Sequence, residues 1–198
     1  AGELNVSTQV SGFMAQSGTS TSGSLAIFTA DRTYILYGST SSDFKLQSST
    51  FDLGYSAYTI QAVSNDTFGM TARGIQSMIT TLNYGDFEYA SISQLIQPLI
   101  AAKKGLEIAS NTLHIKNQYR IYYSDNTALA VGLTGNKVNG ITQLNYSRPV
   151  RCICSATLSS GTEVTYFGSD DGYVYQDNIG TSQDGETIEA WLRLPFNN

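Results

Sequence analysis

Two clusters of carboxylates stand close together late in the sequence, Asp170-Asp171-Gly172 and Asp184-Gly185-Glu186. Paired acids of this kind can serve glycoside hydrolysis, one donating a proton while the other acts as base or nucleophile, or they can bind calcium. Asp-Gly is also a favoured tight-turn dipeptide, and the turn reading is preferred at both places. Calcium loops spread oxygen ligands over alternate positions of about a dozen residues, which is not the pattern here. The one histidine, His114, would have to serve any acyl-transfer triad. The run Leu113-His114-Ile115-Lys116 reads as a strand, and no Gly-x-Ser-x-Gly elbow presents a serine, so His114 is taken as structural. Cys152 and Cys154 flank Ile153; on a strand both point to one face, and the expectation is two buried thiols rather than a metal site, since a structural zinc needs four ligands. No Gly-x-Gly-x-x-Gly or phosphate-binding loop occurs. The expectation is no catalytic residue, no cofactor, no metal and no enzymatic activity.

Charge narrows the partners. The chain has 198 residues, 11 Lys plus Arg against 16 Asp plus Glu, and a formal charge of -5. A protein that tracks phosphates carries a basic stripe, whereas Lys103-Lys104 is the one adjacent basic pair here, with Arg148 and Arg151 near a proline; all four read as solvated surface charge. Sequence-specific nucleic acid binding is therefore not expected. No run approaches the roughly 18 to 20 apolar residues of a membrane span, and Ala1-Gly2-Glu3-Leu4-Asn5 shows no secretion signal, so the chain reads as soluble.

The elements that must position these residues are mostly strands. Abundant Ser, Thr and Tyr punctuated by 18 glycines, with only 3 prolines, indicate short strands and tight turns, hence an all-β fold. Four segments share one pattern of strand, polar turn and strand: Leu25–Phe28 with Tyr34–Tyr37, Phe68–Met70 with Ile75–Met78, Tyr119–Tyr123 with Ala128–Val131, and Val164–Phe167 with Tyr173–Tyr175. Their tips near Asp31, Ala72, Asp125 and Asp170 are 41, 53 and 45 residues apart. Removing an insertion of about ten residues from the middle interval brings all three near ~43, the repeat length of propeller blades. The expectation is a propeller-like β domain over 25–198, with a sandwich or barrel as the alternative, after a flexible or solvated Ser/Thr/Gly-rich lead-in over 1–24.

The long interval holds a helix signal. Tyr89, Ile92, Leu95, Ile96, Leu99 and Ile100 recur at spacings of three and four, with Asp86 as N-cap and Lys103-Lys104-Gly105 as a charged glycine stop. Pro98 removes a backbone donor, so the last turn is expected to kink or the helix to end before it. This inserted helix either packs on a sheet or binds a partner. Candidate partner contacts are Ile92, Leu95, Ile96 and Leu99, together with Asp170, Asp171 and Tyr173 at a hairpin tip.

The segment Gly168-Ser169-Asp170-Asp171-Gly172-Tyr173-Val174-Tyr175-Gln176, with Gly180-Thr181-Ser182 and the closing Ala190-Trp191-Leu192-Arg193-Leu194-Pro195-Phe196-Asn197, resembles the C-terminal part of bacteriophage tail structural proteins. Upstream, Ala26–Gly38, Gly74-Ile75 and Gly85-Asp86-Phe87 are similar to the same group. Proteins of this kind include the propeller-bearing hub, nozzle or stabilisation proteins of short-tailed phages. The resemblance implies a virion structural role in the tail, other tail proteins as partners, a homo-oligomeric ring and part of the channel through which DNA leaves. It brings no catalytic residues. An acidic channel wall agrees with that role, because it repels DNA phosphates. The run Ser182–Trp191 also resembles, with a shifted register, the structural aspartate box of sialidase-type propellers. The alternative expectation is therefore a carbohydrate-binding or carbohydrate-cleaving tail protein that meets the host surface and depends on Asp170, Asp171 or Asp184.

Overall fold

The computed structural model describes residues 3–16, 24–40, 42–50, 53–79, 93, 96–135 and 137–192. Its strands form antiparallel sheets whose members follow one another in the chain. The first sheet has the order β1 (Val10–Gln16), β2 (Ser24–Thr29), β3 (Thr33–Tyr37), β4 (Lys45–Thr50). The second joins β5 (Gln61–Val63), β6 (Asp66–Thr71) and β7 (Gly74–Ser77). Helix α1 (Gln97–Lys103) follows, then the third sheet of β8 (Glu107–Leu113), β9 (Gln118–Tyr123), β10 (Thr127–Thr134) and β11 (Lys137–Asn145). The fourth has β12 (Cys152–Thr157), β13 (Glu163–Gly168) and β14 (Val174–Asp177), and a short hairpin of β15 (Ser182–Gln183) and β16 (Glu186–Thr187) comes last.

All four hairpins expected from the sequence are present, as β2–β3, β6–β7, β9–β10 and β13–β14. Three of the tips carry a turn residue with positive φ where the chain reverses, Gly74 (120°), Asn126 (65°) and Gly172 (83°). In the last hairpin Asp184 and Gly185 both have positive φ, 55° and 87°, which is the type I′ geometry that matches the twist of the strands it joins. Another glycine answers to a close approach: a Cβ on Gly54 would lie 1.9 Å from the Ala30 carbonyl oxygen.

Alternating side chains divide the interior into three cores. The largest contains Phe68, Met70, Ile75, Tyr119, Ile121 and Val131 and is covered from one side by α1 through Ile96, Leu99 and Ile100. A second packs Phe28 and Ile35 of the first sheet against Leu53, Tyr55 and Met78, which lie outside that sheet. The third joins Tyr122, Ala128, Val150 and Phe167, and so connects the third and fourth sheets. Side-chain hydrogen bonds tie neighbouring sheets together. Strand β8 lies against both β5 and β12. The Gln61 amide donates to the carbonyl and hydroxyl oxygens of Ser110, both at 3.0 Å, and the Asn111 amide donates to the Ser155 hydroxyl at 2.8 Å.

Five expectations need correction. Within the stretch taken as a flexible or solvated lead-in, Val10–Gln16 forms a full strand paired with β2, so the first sheet begins well before residue 25. Helix α1 starts around Pro98 instead of ending before it, because the first turn of a helix has no use for the missing N–H. Asp86, Tyr89, Ile92 and Leu95 fall outside the described residues. His114 lies in the turn between β8 and β9, exposed, not in a strand. Cys152 and Cys154 share one face of β12 as expected, but that face is exposed, since the third core takes Ile153 between them and strand periodicity turns both neighbours outward. Lys103 is buried, with its ammonium paired to Asp125 and the Thr127 hydroxyl, rather than solvated.

Among the described residues no helix is long and apolar enough to cross a membrane.

Candidate functional site

A concave surface lies beside the third core, where β11 faces the C-terminal arm of residues 178–192, and its volume is about 920 Å³. Strand β9 contributes Arg120 to it. That strand is buried along nearly its whole length, so its side chains alternate between two interiors: Tyr119, Ile121 and Tyr123 enter the largest core, while Arg120 and Tyr122 point the other way. Opposite them on β10 stand Ala130 and Ala128, small enough to leave room for a guanidinium and a phenol ring.

Arg120 is only 5% exposed in its side chain. A buried cation must be paired and fully hydrogen-bonded to be tolerated, and Arg120 meets that demand. It donates to Asp177 Oδ2 at 2.7 Å, twice to Gln118 Oε1 at 3.1 and 2.8 Å, and to Asn178 Oδ1 at 3.2 Å. Burial works against its charge, yet Tyr122, Tyr146 and Asp177 around it leave its pKa above the ordinary value. Burial pushes the Tyr122 phenol well up, and it pushes the Tyr146 phenol up to about 12. Both rings therefore stay neutral at any physiological pH.

The wall formed by the C-terminal arm is fastened by side chains. The Ser147 N–H donates to Gln183 Oε1 at 2.6 Å, and the Gln183 amide donates to the Asn145 carbonyl at 2.9 Å. Arg148 donates to Asp184 at 3.3 Å and lies 3.8 Å from Asp171. The Tyr175 phenol donates to Asp171 at 2.7 Å, which lowers the pKa of Asp171 and raises that of Tyr175 to about 12. Phe167 and Tyr175 stack with centroids 5.2 Å apart, and Tyr146 meets Phe167 edge-on. Trp191 and Leu192 stand at the rim with 88% and 84% exposure.

Of the residues singled out in the sequence, Asp171 and Asp184 meet on Arg148 and the Tyr175 hydroxyl, while the helix residues lie elsewhere. Asp170 and Asp171 lie in the β13–β14 turn, exposed; Asp170 is clamped by Arg151, whose hydrogen bonds lower the carboxyl pKa. Tyr173, 67% exposed, donates its N–H to Asp171 Oδ1 at 3.1 Å. Ile96 and Leu99 spend their apolar surface on the largest core, and Ile92 and Leu95 lie outside the described residues. Asp184 lines the cleft, whereas Asp170 and Asp171 do not. Among the described residues no group of three or more His, Cys, Asp or Glu side chains is placed to hold a metal ion.

Sequence reasoning missed Arg120, Asp177 and the exposed Trp191. The signal for Arg120 was available: a lone arginine inside Tyr119–Tyr123, a strand otherwise rich in aromatic and β-branched residues, has no cheap place unless a carboxylate meets it. Nothing local identifies Asp177 as that carboxylate, since it lies 57 residues away in sequence.

Compared with protein-family models and with curated proteins, the sequence finds no significant match in either case.

Proposed function

We propose that this chain is a structural, non-enzymatic component of a bacteriophage tail, a hub or nozzle type of protein built from propeller-like blades and assembling as a ring around the DNA exit channel. One observation carries the reading: four successive antiparallel sheets each use strands in chain order, and the first strand of the third sheet, β8, lies between the first strands of the second and fourth. Blades of a propeller are arranged in this way, with leading strands gathered toward a common axis. Four blades at most leave a small ring or part of one, which is the reason to expect completion by neighbouring copies. The sequence resemblance of Gly168–Asn197 to tail proteins supplies the viral context, and the formal charge of -5 suits a wall along which DNA slides.

Light scattering over a wide concentration range tests the proposal, because self-assembly is concentration-dependent. The expected result is a discrete oligomeric mass, with annular particles in electron micrographs. A chain that remains monomeric at the highest concentration, and forms no ring, overturns it.

A further inference from the structure

The lining of the cleft between β11 and the C-terminal arm defines its ligand more narrowly than its shape does. Three cationic side chains, Lys116, Arg120 and Arg148, face three carboxylates, Asp177, Asp184 and Glu189. A balanced set offers no excess of positive charge to hold a polyanion. A wholly apolar ligand would strip water from these ions without replacing it, which is costly. An extended peptide adding to the edge of β11 would have to stop short of Asn145, whose carbonyl is already taken by Gln183.

We propose that this cleft binds a neutral oligosaccharide, held by the exposed Arg148–Asp184 pair and stacked on Tyr175 and Trp191. A sugar hydroxyl donates one hydrogen bond and accepts others, so it is matched by a guanidinium beside a carboxylate. Both kinds of partner stand together in Arg148 and Asp184, 3.3 Å apart and with side chains 44% and 49% exposed. Arg148 is drawn into place before any ligand arrives by Asp171 as well as Asp184, which reduces the ordering entropy to be lost. The C–H faces of a pyranose cover aromatic rings, and Trp191 stands at the rim 88% exposed. A volume of about 920 Å³ suits several sugar units. This assignment does not rest on the ring-forming role, and either can fail alone.

Trp191 is the sole tryptophan, so its emission reports on the rim of this cleft and nothing else. The test titrates the intact chain, at a concentration where its mass is known, with tetrasaccharides of glucose, galactose, mannose, rhamnose and N-acetylglucosamine. Tetragalacturonate and an alternating apolar hexapeptide serve as contrasts, and calorimetry is read in parallel. A saturable emission change and heat with at least one neutral tetrasaccharide is expected. Trp191→Ala, followed by calorimetry, should weaken that binding about tenfold. Arg148→Ala should weaken it as well, and Leu158→Ala, exposed but outside the cleft, should leave it unchanged. Trp191 and Arg148 are both exposed, so their variants are expected to fold, and a thermal melt verifies it. No response to any neutral tetrasaccharide into the millimolar range overturns the proposal. Binding confined to tetragalacturonate or the peptide, or undiminished in both cleft variants, overturns it equally.

Discussion

Strand β9 presents two interiors within one run of six residues, and they are built on different physics. On one face Tyr119, Ile121 and Tyr123 join an apolar core in which contact area and shape supply the stability. On the other, Tyr122 enters the third core while Arg120 reaches the cleft, a buried cation held by Asp177, Asn178 and Gln118. The first face is redundant, because many side chains share the load. The second is not: each polar group there has a specific partner, and loss of one leaves another unpaired. The lesson is that a fully buried strand need not be uniformly apolar when one of its faces opens on a recognition surface.

Alkaline pH strikes both faces together and should have the largest effect. Tyr119 and Tyr122 have pKa values held well above the ordinary 10.0, chiefly by burial, and Tyr146 sits at about 12. The unfolded chain loses these protons near pH 10 while the folded one keeps them. Their contribution is therefore complete below pH 10 and declines as the pH climbs through the raised values. Cooperative unfolding, with tyrosinate absorbance rising in step with the loss of circular dichroism, is the expected outcome of titration from pH 9 to 12. Gradual ionisation of the buried tyrosines with the fold intact would contradict it.

Next in size is Arg120→Ala. Removing the cation leaves Asp177 with little solvent and without its partner, at a cost of about 3 to 5 kcal/mol, visible as a lower denaturant midpoint. Arg120→Met, which fills the space without the charge, should cost about as much while Asp177 remains; adding Asp177→Leu to it should recover most of the loss, and failure to recover would mean that this face is held by packing instead. On the apolar face, Ile121→Val deletes one methylene from a fully buried position and should cost about 0.5 to 1.5 kcal/mol. A larger loss there than at Arg120 would reverse the contrast between the faces. Smallest is Trp191→Ala, whose exposed ring should change stability by less than about 0.5 kcal/mol. Any greater destabilisation would show that the rim belongs to the fold.

Local pattern was enough for the four hairpins, since alternation of apolar and polar residues around Asp, Asn and Gly tips is a short-range signal. It was enough to place Cys152 and Cys154 on one face of β12, but not to say which face. The choice depended on Ile153 meeting Phe167 in a core that two sheets build jointly. The helix shows the same limit: the three-and-four spacing marked an apolar stripe, while the position of Pro98 was decided by where the first turn began. The site was less legible. Asp184 was recognised as a turn residue and Arg148 as surface charge, and neither description predicts that they line one cleft.

By itself, then, the sequence determined the all-β class, the strand pairs within each hairpin and the net acidity of the chain, because these depend on neighbours a few residues apart or on composition alone. Tertiary structure decided which face of β12 met the core, that Lys103 and Arg120 were buried with Asp125 and Asp177, and that the C-terminal arm crossed the end of β11 to close a cleft. Those outcomes depend on pairs up to 57 residues apart, whose meeting is set by how whole sheets stack and not by any preference a residue carries locally.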